Sequence, residues 1–205
     1  QLQEKKQSSL FTYSVNGTPL LKVDEYKYLG ITLTSNMNWE AHINNITTTA
    51  LQKLFYLIRR LKTTPMNIKL LAYKTFVRPI LEYANTIWFP YTATNIAKLE
   101  RVQRKAARFI HSKYRRTDSP SLLLARSDLN TLSTRAKQAR LKFLYQLLHG
   151  QYKIDTTTYI SHSLSRITRH HHEHALTEYS FSNDAFRYSF FPRAIREWNQ
   201  LSSSL

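Results

Sequence analysis

The apolar residues of this chain change their spacing near Asn36, and that change constrains the fold more than any other feature. Before it, short runs alternate apolar and polar positions, as half-buried strands do. In "VDEYKYLGITLT", Leu29, Ile31 and Leu33 alternate with Tyr28, Gly30 and Thr32. Val23 to Thr34 therefore reads as one strand, with Gly30 in its middle, where glycine costs stability unless a bend or a close backbone contact needs it. Upstream, "SVNGTPL" holds Asn-Gly between short apolar runs, the strongest short-range hairpin signal. Phe11 to Val15 and Thr18 to Val23 are expected to pair around it, with "YKYLGITL" packing beside them.

After Asn36 the step becomes three and four. Ile43, Ile46, Ala50, Leu54, Leu57 and Leu61 mark one amphipathic helix. Glu40 stands in its first turn and Arg59, Arg60 and Lys62 in its last, as the helix dipole favours. "TTPMNIKLL" restarts a helix with Thr64 as N-cap and Pro65 at the first helical position, and Pro79 is expected to kink it or to end it near Arg78. A third helix runs from about Asn95 to Ile110 and a fourth from about Ser133 to His149, closed by Gly150 as a C-cap. "SPSLLLARSDL" reads as a short helix between them. "LTEYSFSNDAFRYSFF" reads as an irregular hairpin around "SND". "PRAIREWNQL" closes the chain as a helix with Ala194, Ile195, Trp198 and Leu201 on one side.

The fold class expected is therefore mainly α with a small N-terminal antiparallel β element (α+β). Residues 1–35 form the β part, 36–150 a helical bundle, and 151–205 a C-terminal extension. A chain of 205 residues with 42% hydrophobic and 13% aromatic residues can bury a real core. No cysteine is present, which removes disulfides and thiolate zinc sites. The polar start "QLQEKKQSSL" carries no signal-peptide pattern, and the most apolar stretch contains Lys74, Arg78 and Glu82. The expectation is an intracellular protein of nucleus or cytoplasm, neither secreted nor membrane-spanning.

Thirty Lys and Arg stand against thirteen Asp and Glu, a formal charge of +17. Such an excess calls for a polyanionic partner, nucleic acid first. The densest basic segment is "NIAKLERVQRKAARFIHSKYRR". On a helical wheel Ile96, Leu99, Val102, Ala106, Phe109 and Ile110 share one face, and Lys98, Arg101, Lys105 and Arg108 form a stripe beside it with Arg104 beyond. Lys113, Arg115 and Arg116 extend the stripe. Arg135, Lys137, Arg140 and Lys142 add a second cluster. Glu100 is the only acid between Lys98 and Arg116. Such a stripe suits phosphate contacts, which hold a duplex without reading its bases. The plain alternative is a solvated helix face.

Catalytic patterns are scarce. "RHHHEHALTEY" raises a metal site through His170, His172, Glu173 and His174, or a His-x-His nuclease with Tyr179 as nucleophile. The spacing is not His-Glu-x-x-His, and the residue between the histidines is Glu173 rather than a bulky apolar one. The plain alternative is a polar segment of a basic protein. No Gly-rich phosphate loop, Gly-x-Ser-x-Gly or paired aspartates occur. Asp24 and Glu25 are neighbours that a strand would point to opposite faces.

"YSVNGTPLLKVDEYKYLGITLTSNMNWEAHI", "LAYKTFVRPILEYANTIWFP", "KLERVQRKAARFI" and "FFPRAIREWNQL", in that order, resemble the C-terminal part of the reverse transcriptases of jockey-type non-LTR retrotransposons. The resemblance covers about Phe11 to Leu201. It implies that Tyr28, Leu29 and Gly30 match the primer-grip hairpin at the end of the polymerase palm, where a missing side chain suits a close approach to the primer. It implies that the helices form the thumb, which holds an RNA or DNA template–primer duplex by its phosphate backbone. The fingers, most of the palm and the Asp-Asp box of that family have no counterpart here. RNA-templated DNA synthesis, and the magnesium it uses, are thus expected to belong to the missing palm, with no cofactor, small-molecule substrate or catalysis in this chain. The rival is a stand-alone basic nucleic-acid-binding module.

Overall fold

A computed structural model of the chain describes residues 13–161 and 174–201. Two hairpins come first. β1 (Ser14–Val15) pairs antiparallel with β2 (Thr18–Pro19). Asn16 and Gly17 have φ of 49° and 81°, the left-handed pair that a two-residue type I′ connection requires. β3 (Glu25–Tyr28) pairs with β4 (Ile31–Thr34), Tyr28 opposite Ile31 and Glu25 opposite Thr34. The expected single strand from Val23 to Thr34 is therefore a hairpin, and it does not join the first one. Its turn is Leu29-Gly30, with φ of 46° and 83°. Gly30 is needed at a turn, where its missing Cβ permits this conformation, and not in mid-strand.

The helices follow in the expected order, with the short α4 added: α1 (Glu40–Arg60), α2 (Met66–Phe76), α3 (Arg78–Glu82), α4 (Asn85–Trp88), α5 (Ala93–His111), α6 (Pro120–Arg126) and α7 (Leu132–Leu148). α1 buries Ile43, Ala50, Leu54 and Leu57, the stripe its spacing predicted. The break between α2 and α3 falls at Val77, ahead of Pro79. Pro65, not Thr64, occupies the N-cap position of α2. Thr131 caps α7, its hydroxyl accepting from the Thr134 amide at 3.0 Å. Gly150 has φ of 62°. Its amide donates to the Leu147 carbonyl and that of Gln151 to the Gln146 carbonyl, the pair of bonds that satisfies the last carbonyls of α7.

The segment expected as a hairpin around Ser182-Asn183-Asp184 is instead the one-turn helix α8 (Asp184–Arg187). The Asn183 side chain accepts from the Phe186 amide at 2.8 Å, so a residue read as a turn former is a helix N-cap. α9 (Phe190–Asn199) closes the described chain and buries Ala194 and Ile195.

One apolar core runs from Ile31 through α1 to α6 and into the first half of α7, with Trp88, Tyr73 and Phe109 among its largest members. A second cluster, Leu144, Leu176, Ala194 and Ile195, packs α9 and the strand-like Leu176 on the second half of α7. β4 is held to the bundle by Ile31 and by the Thr32 amide, which donates to His42 Nδ1 at 3.3 Å.

Candidate nucleic-acid interface

α5 presents two unlike faces. Leu99, Val102, Ala106, Phe109 and Ile110 are buried against the bundle, and the exposed side carries the basic stripe. α1 and α5 lie side by side and run in the same direction. Lys98 of α5 reaches Glu40 and Asn44 of α1, at 2.8 and 3.0 Å. Further along, the Lys105 ammonium stands 5.3 Å from the ring centre of Phe55. At the far end Lys69 Nζ joins the Lys62 carbonyl and the Ser112 hydroxyl, at 3.2 and 2.7 Å. At 1.5 Å per residue, Lys98 and Arg108 are about 15 Å apart along this seam.

The seam does not use every predicted cation. Arg101, Arg104, Lys105, Lys113, Arg115, Arg116 and Lys137 are exposed. Arg108 is partly buried, and its Nε has no hydrogen-bond partner. Lys98 is committed to Glu40, whose carboxyl it holds below the usual range by hydrogen bond and by charge. Arg135 forms a two-nitrogen pair with Glu82, Nη2 at 3.0 Å, and the hydrogen bond raises its pKa. Arg140 is 3% exposed at its side chain and grips both oxygens of Glu197, at 2.7 and 3.1 Å. Arg193 approaches the same carboxylate and donates to the Phe89 carbonyl at 2.7 Å. Arg135 and Arg140 therefore leave the phosphate-binding set: they are the ion pairs that join α7 to α3 and to α9. Glu100, the lone acid of the basic segment, is also turned inward, where it accepts from the Ser133 amide at 3.1 Å. Burial raises its pKa.

Sequence reasoning passed over the α1 side of the seam. Phe55 and Tyr56 point outward, and the Arg60 guanidinium lies 5.7 Å from the Tyr56 ring centre. Lys53 and Arg59 are exposed beside them. The available signal was an absence: no Asp or Glu occurs between Glu40 and Glu82, whereas Lys53, Arg59, Arg60, Lys62, Lys69, Lys74 and Arg78 do. Exposed rings beside free cations can stack on bases while the cations hold phosphates.

Tyr28, Leu29 and Gly30 sit at the tip of the second hairpin. Tyr28 and Leu29 are exposed, and the Tyr83 hydroxyl donates to the Leu29 carbonyl at 3.1 Å. A Cβ on Gly30 would meet only Tyr83 Cε1 at 3.5 Å, an ordinary contact. The left-handed φ explains the glycine, and a close approach is not required to explain it.

A cleft of about 730 Å³ opens where Met37 and Trp39 face Tyr91 and Tyr188, the two tyrosines stacked with centres 3.9 Å apart. Among the described residues no three His, Asp or Glu side chains converge as metal ligands. His170, His172 and Glu173 lie outside the described residues. The His174 carbonyl accepts from Trp198 Nε1 at 3.0 Å, and the Tyr179 hydroxyl donates to the Tyr159 carbonyl. Among the described residues no helix is long and apolar enough to cross a membrane. Comparison of the chain with protein-family models, with curated proteins and with solved structures found no match.

Proposed function

We propose that the chain binds nucleic acid through the α1–α5 seam, as the thumb-like part of an RNA-directed DNA polymerase of a non-LTR retrotransposon. One observation carries the binding: Arg101, Arg104 and Lys105 are exposed in a row on α5, Lys105 over the exposed Phe55 ring, while Glu100, the lone acid of the segment, is bonded to the Ser133 amide. Phosphates bound there release counterions, so affinity falls with salt in proportion to the contacts made. The retrotransposon assignment rests on the four sequence blocks. It is supported by the apolar side chains exposed on both hairpins, among them Val15, Tyr26 and Tyr28, as expected of strands that dock on a larger palm. The chain itself contributes grip and no chemistry in this reading.

The test is a titration of a fluorescent RNA–DNA duplex at several salt concentrations. Each of Arg101→Ala, Arg104→Ala and Lys105→Ala is expected to weaken binding and to reduce the slope of log affinity against log salt by about one contact. Arg140→Met is expected to leave the slope unchanged. A wild-type slope near zero, or equal slopes for all variants, sinks the reading. The rival of a self-sufficient binding module is favoured by the continuous core from Ile31 to Ala136. Activity appearing when a palm is supplied in trans separates the two.

A further inference from the structure

α2 carries an apolar stripe that the bundle leaves outside. Ile68, Leu71, Ala72, Thr75 and Phe76 follow the i, i+3, i+4, i+7, i+8 pattern by which a helix normally docks on its own core. Yet Leu71 is 60% and Phe76 56% exposed, and Ile68 is exposed as well, while Ala72 alone of the stripe is buried. The bundle takes the neighbouring face instead. Lys69 is buried, tying the end of α1 to the end of α5, and the buried Tyr73 donates to Gln103 Oε1 at 2.9 Å. α2 is thus apolar on two sides: Leu70, Ala72 and Tyr73 meet the core, while Ile68, Leu71 and Phe76 stay exposed, as a face that takes a partner does.

The surroundings state what kind of partner covers it. Lys74 flanks the stripe, and Lys62 and Lys113 are exposed on the two segments that Lys69 ties to α2. The nearest acid along the chain, Glu82, is occupied by Arg135. A second copy would bring the same cations on a molecule of charge +17, so self-association is opposed. Nucleic acid would find aliphatic Ile68 and Leu71 where it uses rings and guanidinium groups. We propose that the outer face of α2 docks an acidic amphipathic helix of another protein, whose apolar residues cover Leu71 and Phe76 and whose carboxylates meet the flanking lysines. The site shares Lys113 and the Lys62–Ser112 end of the seam with the nucleic-acid reading, but not Arg101, Arg104 or Lys105, so substitutions in that row tell the two apart.

The probe is a dye-labelled synthetic helical peptide with Leu at i, i+3 and i+7 and Glu on its other face, followed by fluorescence anisotropy. A counterpart with Lys in place of Glu, and vesicles of phosphatidylcholine with phosphatidylserine, are measured in parallel. The full chain is expected to bind the acidic peptide and not the basic one. Leu71→Ser with Phe76→Ser is expected to weaken it on the order of tenfold, with the thermal midpoint and duplex binding kept, since both side chains are exposed. Lys74→Glu is expected to weaken it several-fold without touching the apolar stripe. Arg101→Ala with Arg104→Ala is expected to leave peptide binding unchanged while reducing duplex binding. No binding of the acidic peptide, equal binding of the two peptides, indifference to both α2 variants, or capture by vesicles alone would each overturn the proposal.

Discussion

Two residues show how local chemistry decides details that pattern cannot. Leu29 holds a left-handed φ of 46° at 70% exposure, a conformation that costs a bulky residue about 1–2 kcal/mol. Only its carbonyl is used, by Tyr83. Leu29→Asn makes the turn Asn-Gly and is expected to raise stability by about 1 kcal/mol, read as an upward shift of the urea midpoint; an unchanged midpoint would mean the turn is not strained. The turn escaped sequence reading for the same reason, because leucine in an alternating run signals strand. His42 is the second case. It is buried edge-on to Trp88, its Nδ1 accepts the Thr32 amide, and its Nε2 has no hydrogen-bond partner. Burial lowers its pKa from the ordinary 6.5, so the folded chain keeps it neutral. Its contribution is then fully present above pH 6.5 and is lost as pH falls through the lowered value, because the unfolded chain takes up the proton first. Stability measured against pH should fall on the acid side of 6.5, and His42→Gln should flatten that fall. An identical pH profile for the variant would remove His42 from the account.

At the scale of elements, helices were legible because their apolar stripes recur within one turn, whereas the partners of their charges lie far along the chain. Arg135 meets Glu82 across 53 residues and Arg140 meets Glu197 across 57. Nothing in the local sequence separates these two arginines from Lys137, which stays exposed. The distinction has an energetic consequence. Glu197 balances two guanidinium groups, Arg140 and Arg193, both largely buried, and burial with the neighbouring Arg140 charge lowers the Arg193 pKa. Removing the acid strands both, and loss of one partner from a buried pair costs about 3–5 kcal/mol. Glu197→Ala is therefore expected to lose at least as much stability as Arg140→Met, which leaves the carboxylate still paired with Arg193. Chemical denaturation of the two variants checks the order. A reversal would mean that the pair is water-exposed in solution. The α8 segment was misread by the same limitation of range: Asn183 favours turn and helix cap alike, and the packing of Tyr179 edge-on to Phe186 is invisible in a short window.

At the scale of the whole molecule, cohesion is uneven, and the boundary does not follow the change of spacing at Asn36. β3 and β4 lie before that change, yet Ile31 belongs to the main core and two hydrogen bonds, Tyr83 to Leu29 and Thr32 to His42, fasten the hairpin to α1 and to the residue after α3. β1 and β2 lack any such anchor among the described contacts: Tyr13 to Val23 are all exposed, including Leu20 and Leu21. Opening free energy follows the buried contacts that must break. Hydrogen exchange should accordingly divide the chain into three levels. Amides of residues 14–20 should exchange almost as in an unfolded peptide. Those of β3 and β4 should be protected to an intermediate degree, and those in the middle of α1 and α5 should exchange only by global unfolding. If the proposed palm docking holds, a polymerase palm supplied in trans should slow the first group most, because that hairpin has no anchor on the bundle among the described contacts, whereas β3 and β4 already have one. Protection of residues 14–20 equal to that of α1 in the isolated chain would show that this hairpin already has its partner, and the docking role proposed for it would fall.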